Sequence, residues 1–142
     1  MRLSLLLLGL LASSAASAQT SEAFVEQVGA GNRADLVQTA SAAFLVQAGA
    51  LNRAAVEQGG AGGHLVRLSQ AGGSSAEVVQ TGWGNGLVGL AGPESAAVQL
   101  DASRLVLEQH GAGNVLALEQ AAGAYAHVVQ VGAGNTATIV QN

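Results

Sequence analysis

The chain has 142 residues, a formal net charge of −4 and no Cys, so no disulfide framework supports it and no nucleic-acid partner is expected. Hydrophobic residues make up 49% of it but aromatic residues only 3%, with two Phe, one Trp and one Tyr, which excludes a conventional aromatic-rich core. Beyond the N-terminus no stretch is long or apolar enough for a transmembrane helix.

Residues 1–18 have the pattern of a secretory signal peptide. Arg2 supplies the positive start, Leu3 to Ala12 is an apolar run made mostly of Leu, and Ala16-Ser17-Ala18 is a small-residue cleavage site. The run is too short to span a bilayer. Cleavage there starts the mature chain at Gln19 and, by removing Arg2, moves the formal charge from −4 to −5.

From Ser21 onward the chain repeats. Ser21 to Gln38 reads SEAFVEQVGAGNRADLVQ, and Ser41 to Gln58 reads SAAFLVQAGALNRAAVEQ. Both fit one template: Ser, five residues, Gln, any, Gly, two residues, Asn, any, Ala, three residues, Gln. Ser103 to Gln120 fits with Leu116 in the Ala slot, and Ala124 to Gln141 fits with Ala124 in the Ser slot. A fixed period of this kind is the mark of a solenoid.

Within each unit the side chains alternate. Ser21, Ala23, Val25 and Gln27 form one set and Glu22, Phe24 and Glu26 the other. A period of two means a β-strand, with successive side chains on opposite faces. The Val-Gly-Ala-Gly link before Asn32 is a turn. The pattern predicts twelve strands, at 21–27, 32–38, 41–47, 52–58, 64–70, 74–80, 85–91, 93–99, 103–109, 114–120, 124–130 and 135–141. The fold class is therefore all-β: a β-solenoid of about six rungs with two strands per rung, over residues 19–142.

The middle, residues 59–102, keeps the repeat less well. His64 takes a Ser or Asn slot, Pro93 opens an expected strand, where a missing N–H is tolerated, and Gly86 and Gly89 weaken another. Ser74 to Asn85 is again a clean half-motif, an odd number of strands after the Ser41 unit, which places its Gly turn on the opposite side of the stack.

The charges test these faces. Arg33, Arg53, Arg67, Arg104, Glu22, Glu26, Asp35, Glu57, Glu77, Glu94, Glu108 and Glu119 all fall on the outward set, and Asp101 falls in a link. Burying an unpaired charge costs several kcal/mol, so this sorting is what real faces require. Inward stand Ala, Val, Leu and Ile, flanked by rows of Ser, Gln and Asn. One rung cannot bury that face, since two short strands make at best a marginal hairpin. Stacked rungs place each amide roughly 4.8 Å from its counterparts, where each can donate to the next amide's carbonyl. The residues expected to carry this ladder are Ser21, Gln27, Gly29, Asn32 and Gln38; Ser41, Gln47, Gly49, Asn52 and Gln58; Ser103, Gln109, Gly111, Asn114 and Gln120; and Gln130, Gly132, Asn135 and Gln141.

This template resembles the curlin repeat, and the chain is similar to subunits of curli, the secreted functional amyloid of Gram-negative bacteria. The resemblance covers about Ser21 to Gln141. It implies self-assembly into a fimbrium-like extracellular fibre on the cell surface, with roles in adhesion and biofilm matrix. The implied partners are other copies of the chain, a nucleator or major subunit, and an outer-membrane secretion pore. Curli subunits usually carry a Gly- and Asn-rich leader before the first repeat, whereas here Gln19 and Thr20 alone stand between the expected cleavage site and Ser21.

Other chemistries find little support in the spacing. His64, His110 and His127 have no ligand spacing, so no metal or other cofactor is expected. The GAGN turns lie between two strands with no following Lys, unlike phosphate loops. Glu22 and Glu26 lie on a convex face without a pocket, and no Ser-His-Asp set is suggested, so the chain is not expected to be an enzyme. Trp83 is expected as a partly exposed turn residue. The alternative functions are a minor nucleator of the same system or a soluble solenoid binding ice or a glycan along a flat face. The second has only Thr136 and Thr138 as an outward Thr pair, and it would require capped ends, which the terminal strands are not expected to have.

Overall fold

A computed structural model describes residues 20–142; the expected signal segment, residues 1–18, lies outside the described residues. Among the described residues every regular element is a β-strand. In chain order these are β1 (Glu22–Val28), β2 (Arg33–Gln38), β3 (Ala42–Ala48), β4 (Arg53–Gly62), β5 (Leu65–Gln70), β6 (Ser75–Trp83), β7 (Gly86–Val88), β8 (Ala97–Gln99), β9 (Arg104–Ala112), β10 (Val115–Gln120), β11 (Tyr125–Ala133) and β12 (Thr136–Gln141).

The strands form two sheets. The first runs β1-β3-β5-β7-β10-β12, with β8 beside β5 and β10, and the second runs β11-β9-β6-β4-β2. Every ladder is parallel, and equivalent residues stack: Gln27 on Gln47, Leu45 on Leu68, Gln80 on Gln109. Successive strands alternate between the sheets, so the chain is a β-solenoid of about six turns, as the repeat predicts. The alternation aims one residue in two at the opposite sheet. Ala43, Leu45, Val66, Leu68, Leu87, Leu116 and Leu118 meet Ala54, Val56, Ala76, Val78, Leu105, Leu107 and Ala126 there, all buried. Each buried Leu contributes about 2 kcal/mol by leaving water.

One expectation is corrected. Residues 85–91 and 93–99 are not two strands of one rung. Their β-segments, β7 and β8, lie in the same sheet, and both pair with β5 and β10. They are two halves of one strand position, parted by an excursion over residues 89–96. Pro93 therefore sits in that excursion and opens no strand, and Glu94 lies there too, its carboxylate 3.4 Å from Arg67 Nη2. The excursion closes on itself: Gly89 N–H donates to Ser95 O (2.9 Å) and Gly92 N–H to Gly89 O (3.1 Å). At its neck a Cβ on Gly89 would overlap the Ala96 carbonyl, so the chain can pinch shut there only with Gly at that position. The solenoid thus has eleven strand positions, six in the first sheet and five in the second.

Links from first sheet to second lie along one edge, here the near edge, at 28–31, 48–51, 71–73, 100–102 and 121–123. Returning links lie along the far edge, at 39–40, 59–63, 81–84, 110–113 and 131–134. The Gly turns thus change edge. Those after β1 and β3 are on the near edge, and those after β4, β6, β9 and β11 are on the far edge, where the Ser74 half-motif was expected to put its own. On the far edge the turn backbones themselves pair, Gly82 on Gly111 and Gly111 on Gly132. Gly111 has φ +117, and a Cβ there would overlap the Gly132 carbonyl, so the slot admits only Gly.

Candidate functional site: amide ladders and end faces

Two Gln columns run the height of the solenoid. In the first sheet Gln27 Nε2 donates to Gln47 Oε1 (2.7 Å), and the chain of bonds continues through Gln70, Gln99, Gln120 and Gln141 at 2.9 Å each. In the second sheet the column is Gln38, Gln58, Gln80, Gln109 and Gln130, with bonds of 2.7, 2.8, 2.7 and 2.6 Å. The second Nε2 proton crosses to a carbonyl of the other sheet: Gln47 to Arg33 O (3.1 Å), Gln70 to Arg53 O (3.1 Å), Gln109 to Gly86 O (3.2 Å). Gln47, Gln80, Gln99, Gln109 and Gln120 are fully buried, and the ladder leaves none of their amides unpaired. The columns have direction, because Nε2 always donates toward the later rung.

At the start of many strands one polar side chain closes the preceding link, and its length matches the link. After a four-residue turn it is Asn, whose Nδ2 reaches back four residues: Asn52 to Ala48 O (2.7 Å), Asn85 to Thr81 O (2.9 Å), Asn135 to Val131 O (2.9 Å). After the three-residue link 71–73 it is Ser74, whose hydroxyl donates to Ala71 O (2.6 Å). After the five-residue turn 59–63 it is His64, whose ring reaches five residues back, with Nε2 3.0 Å from Gly59 O. Asn85 N–H donates to His64 Nδ1 (3.2 Å), which makes Nδ1 the acceptor and Nε2–H the donor. These groups also bond rung to rung, but toward the earlier rung: Asn114 N–H and Nδ2 donate to Asn85 Oδ1 (3.0 and 3.1 Å).

The expected ladder residues separate into distinct rows. Gln27, Gln47, Gln120 and Gln141 share the first-sheet column, and Gln38, Gln58, Gln109 and Gln130 the second. Asn32 and Asn52 lie on the near edge, Asn114 and Asn135 on the far edge, so one expected Asn row is in truth two. Ser41 stacks beneath His64, and Ser103 beside Ser74 (Oγ to Oγ 3.4 Å), while Ser21 is exposed on the first strand position. Gly29 and Gly49 are in near-edge turns, Gly111 and Gly132 in far-edge turns. Sequence reasoning omitted Gln70, Gln80, Gln99, His64 and Asn85, which complete the columns. The signal was present: a slot for Asn, Ser or His stands six residues before each Gln at 64–70 and 74–80 as at 114–120.

The outward faces offer little chemistry. His110 Nδ1 is 2.7 Å from Thr81 Oγ1 and His127 is exposed; among the described residues no cluster of His, Asp or Glu could hold a metal. A shallow open groove is lined by Arg53, Glu77 and Arg104. Trp83 is exposed in its turn.

The end faces are different. Among the described residues β1 and β2 pair on one side only, as do β11 and β12. The lower face presents the Oε1 atoms of Gln27 and Gln38, which no amide below them occupies. On the upper face the columns end at Gln141 Nε2, which donates to Tyr125 O (2.9 Å) and keeps a second proton free, and at Gln130 Nε2, which turns to Val115 O and Asn135 O (3.2 Å each). On the far edge Asn135 Oδ1 has no partner among the described residues. Exposed apolar side chains gather on the same coils: Phe24, Val28 and Val37 below, Tyr125, Val129, Val131 and Val140 above. No family model matches the chain, and no curated protein matches it.

Proposed function

We propose that the chain is a secreted structural subunit, not an enzyme, that stacks end on end into a curli-like amyloid fibre serving adhesion and biofilm matrix. The observation that carries this reading is the directed amide ladder. It passes unbroken through every coil, including the one with the excursion. It ends in free Oε1 acceptors of Gln27 and Gln38 on one face and in the Nε2 groups of Gln130 and Gln141, the latter with a proton free, on the other. Such faces complement each other head to tail, and two like faces would set donor against donor. The unpaired strand edges and exposed valines of those coils add to the drive, since open parallel edges are templates for pairing. In curli-type systems the further partners would be a companion subunit and an outer-membrane pore.

The test is assembly itself. Residues 19–142, purified and incubated at micromolar concentration, should sediment as fibres whose diffraction has a meridional reflection near 4.8 Å. A chain that stays monomeric and soluble over days would refute the reading.

A further inference from the structure

We infer that successive copies stack head to tail with each copy turned half a turn about the stacking axis, so that β1 of the upper copy lies on β11 of the lower and β2 lies on β12. The inference deepens the self-assembly reading and rests on it.

Parity is the first ground. The strand positions alternate between sheets, six in the first and five in the second, and both β1 and β12 belong to the first. The next position of an uninterrupted solenoid is therefore in the second sheet, above β11. An unturned copy would set β1 on β12 and leave that position empty, with β11 and the next β2 roughly 10 Å apart and their facing N–H and C=O groups unpaired. A half turn exchanges the sheets, and the edges with them. The incoming β1 then fills the vacant position parallel to β11, with Gln27 on Gln130 and Val25 on Val128, and β2 follows on β12 with Gln38 on Gln141.

The edges supply the second ground. A turned copy brings its near edge over the far edge below, which sets Asn32 on Asn135 and the turn 28–31 on 131–134, both Val-Gly-Ala-Gly. Asn135 Oδ1 would then accept from Asn32, as Asn32 Oδ1 accepts the Asn52 N–H (3.0 Å) and Nδ2 (3.2 Å) within the chain. An unturned copy would set Ser21 on Asn135 and the two-residue link 39–40 over a four-residue turn. The shift of the Gly turns from near to far edge within one chain is thus undone by the half turn. Outward residues agree: the turned junction pairs Val28 with Val131 and Val37 with Val140, all more than half exposed, whereas the unturned one pairs Val140 with Glu26.

Cysteine cross-linking in fibres decides it, since the chain has no Cys of its own. Val37→Cys with Val140→Cys places thiols on adjacent strands only in the turned stack. Glu26→Cys with Val140→Cys does so only in the unturned one. All three positions are exposed, and in a single chain each pair lies several strand spacings apart. Fibres of the first variant, treated with a short bis-maleimide and dissolved in denaturant, should run as a ladder of covalent oligomers, and fibres of the second should run as monomer. The reverse pattern, or fibres that cross-link in neither variant, overturns the half turn. Failure of the unsubstituted chain to give the 4.8 Å reflection would instead overturn the self-assembly reading.

Discussion

Gln80→Ala tests how much one rung of the ladder is worth. Gln80 is fully buried at the centre of the second-sheet column, accepts from Gln58 Nε2 (2.8 Å) and donates to Gln109 Oε1 (2.7 Å). Truncation leaves a buried N–H on Gln58 and a buried oxygen on Gln109, each without a partner. An orphaned buried polar group costs about 1–3 kcal/mol, so the pair costs about 4 kcal/mol before the vacated volume is counted. That is a large share of a domain's roughly 5–15 kcal/mol. Glu77→Ala, on the outward face of the same strand, should stay within about 0.5 kcal/mol. Urea unfolding followed by far-UV circular dichroism, below the assembling concentration, measures both. A Gln80→Ala cost under about 1 kcal/mol, no larger than that of Glu77→Ala, would refute the view that the amides stabilise one another along the column.

Two more perturbations follow from the links. Removal of residues 89–96 joins Val88 to Ala97 and restores the six-residue spacing from the Asn slot to the Gln slot, 85 to 99 less eight, seen at 114 to 120. The shortened chain should unfold cooperatively with a midpoint no lower than the parent's, and a lost or broadened transition would show that the two half-strands are not one position. His64→Asn leaves Gly59 O out of reach across its five-residue turn and should cost about 1 kcal/mol. Removing Ala61 as well, at the register shift between Gly60 and Gly62, shortens the turn to four residues and should restore the parent's thermal midpoint. A double variant no better than the single one would break the rule that side-chain length matches link length.

Much of this structure is written locally. The alternation decides each residue's face, because the pleat admits no other arrangement. Hence the outward charges, the inward Ala, Val and Leu, and the Gln slots could be read residue by residue, and so could the stack, since no single rung can bury its face. What local pattern cannot express is which segments become neighbours. Residues 85–91 and 93–99 each alternate well enough to be strands, and only their shared pairing with β5 and β10 makes them one position. That merger changes the strand count from even to odd, and with it the relation between the two end faces. His64 is similar: in the chain it is a misfit in a Ser or Asn slot, and only the wider turn folded back beside it gives its ring a carbonyl to hold. By itself the sequence determined the face of the side chains outside residues 89–96 and the repeat that must stack, because these depend on neighbours along the chain. The tertiary structure alone decided that residues 85–91 and 93–99 share one strand position, and hence the parity and the edge taken by the later turns, because this depends on contacts between residues twenty or more apart.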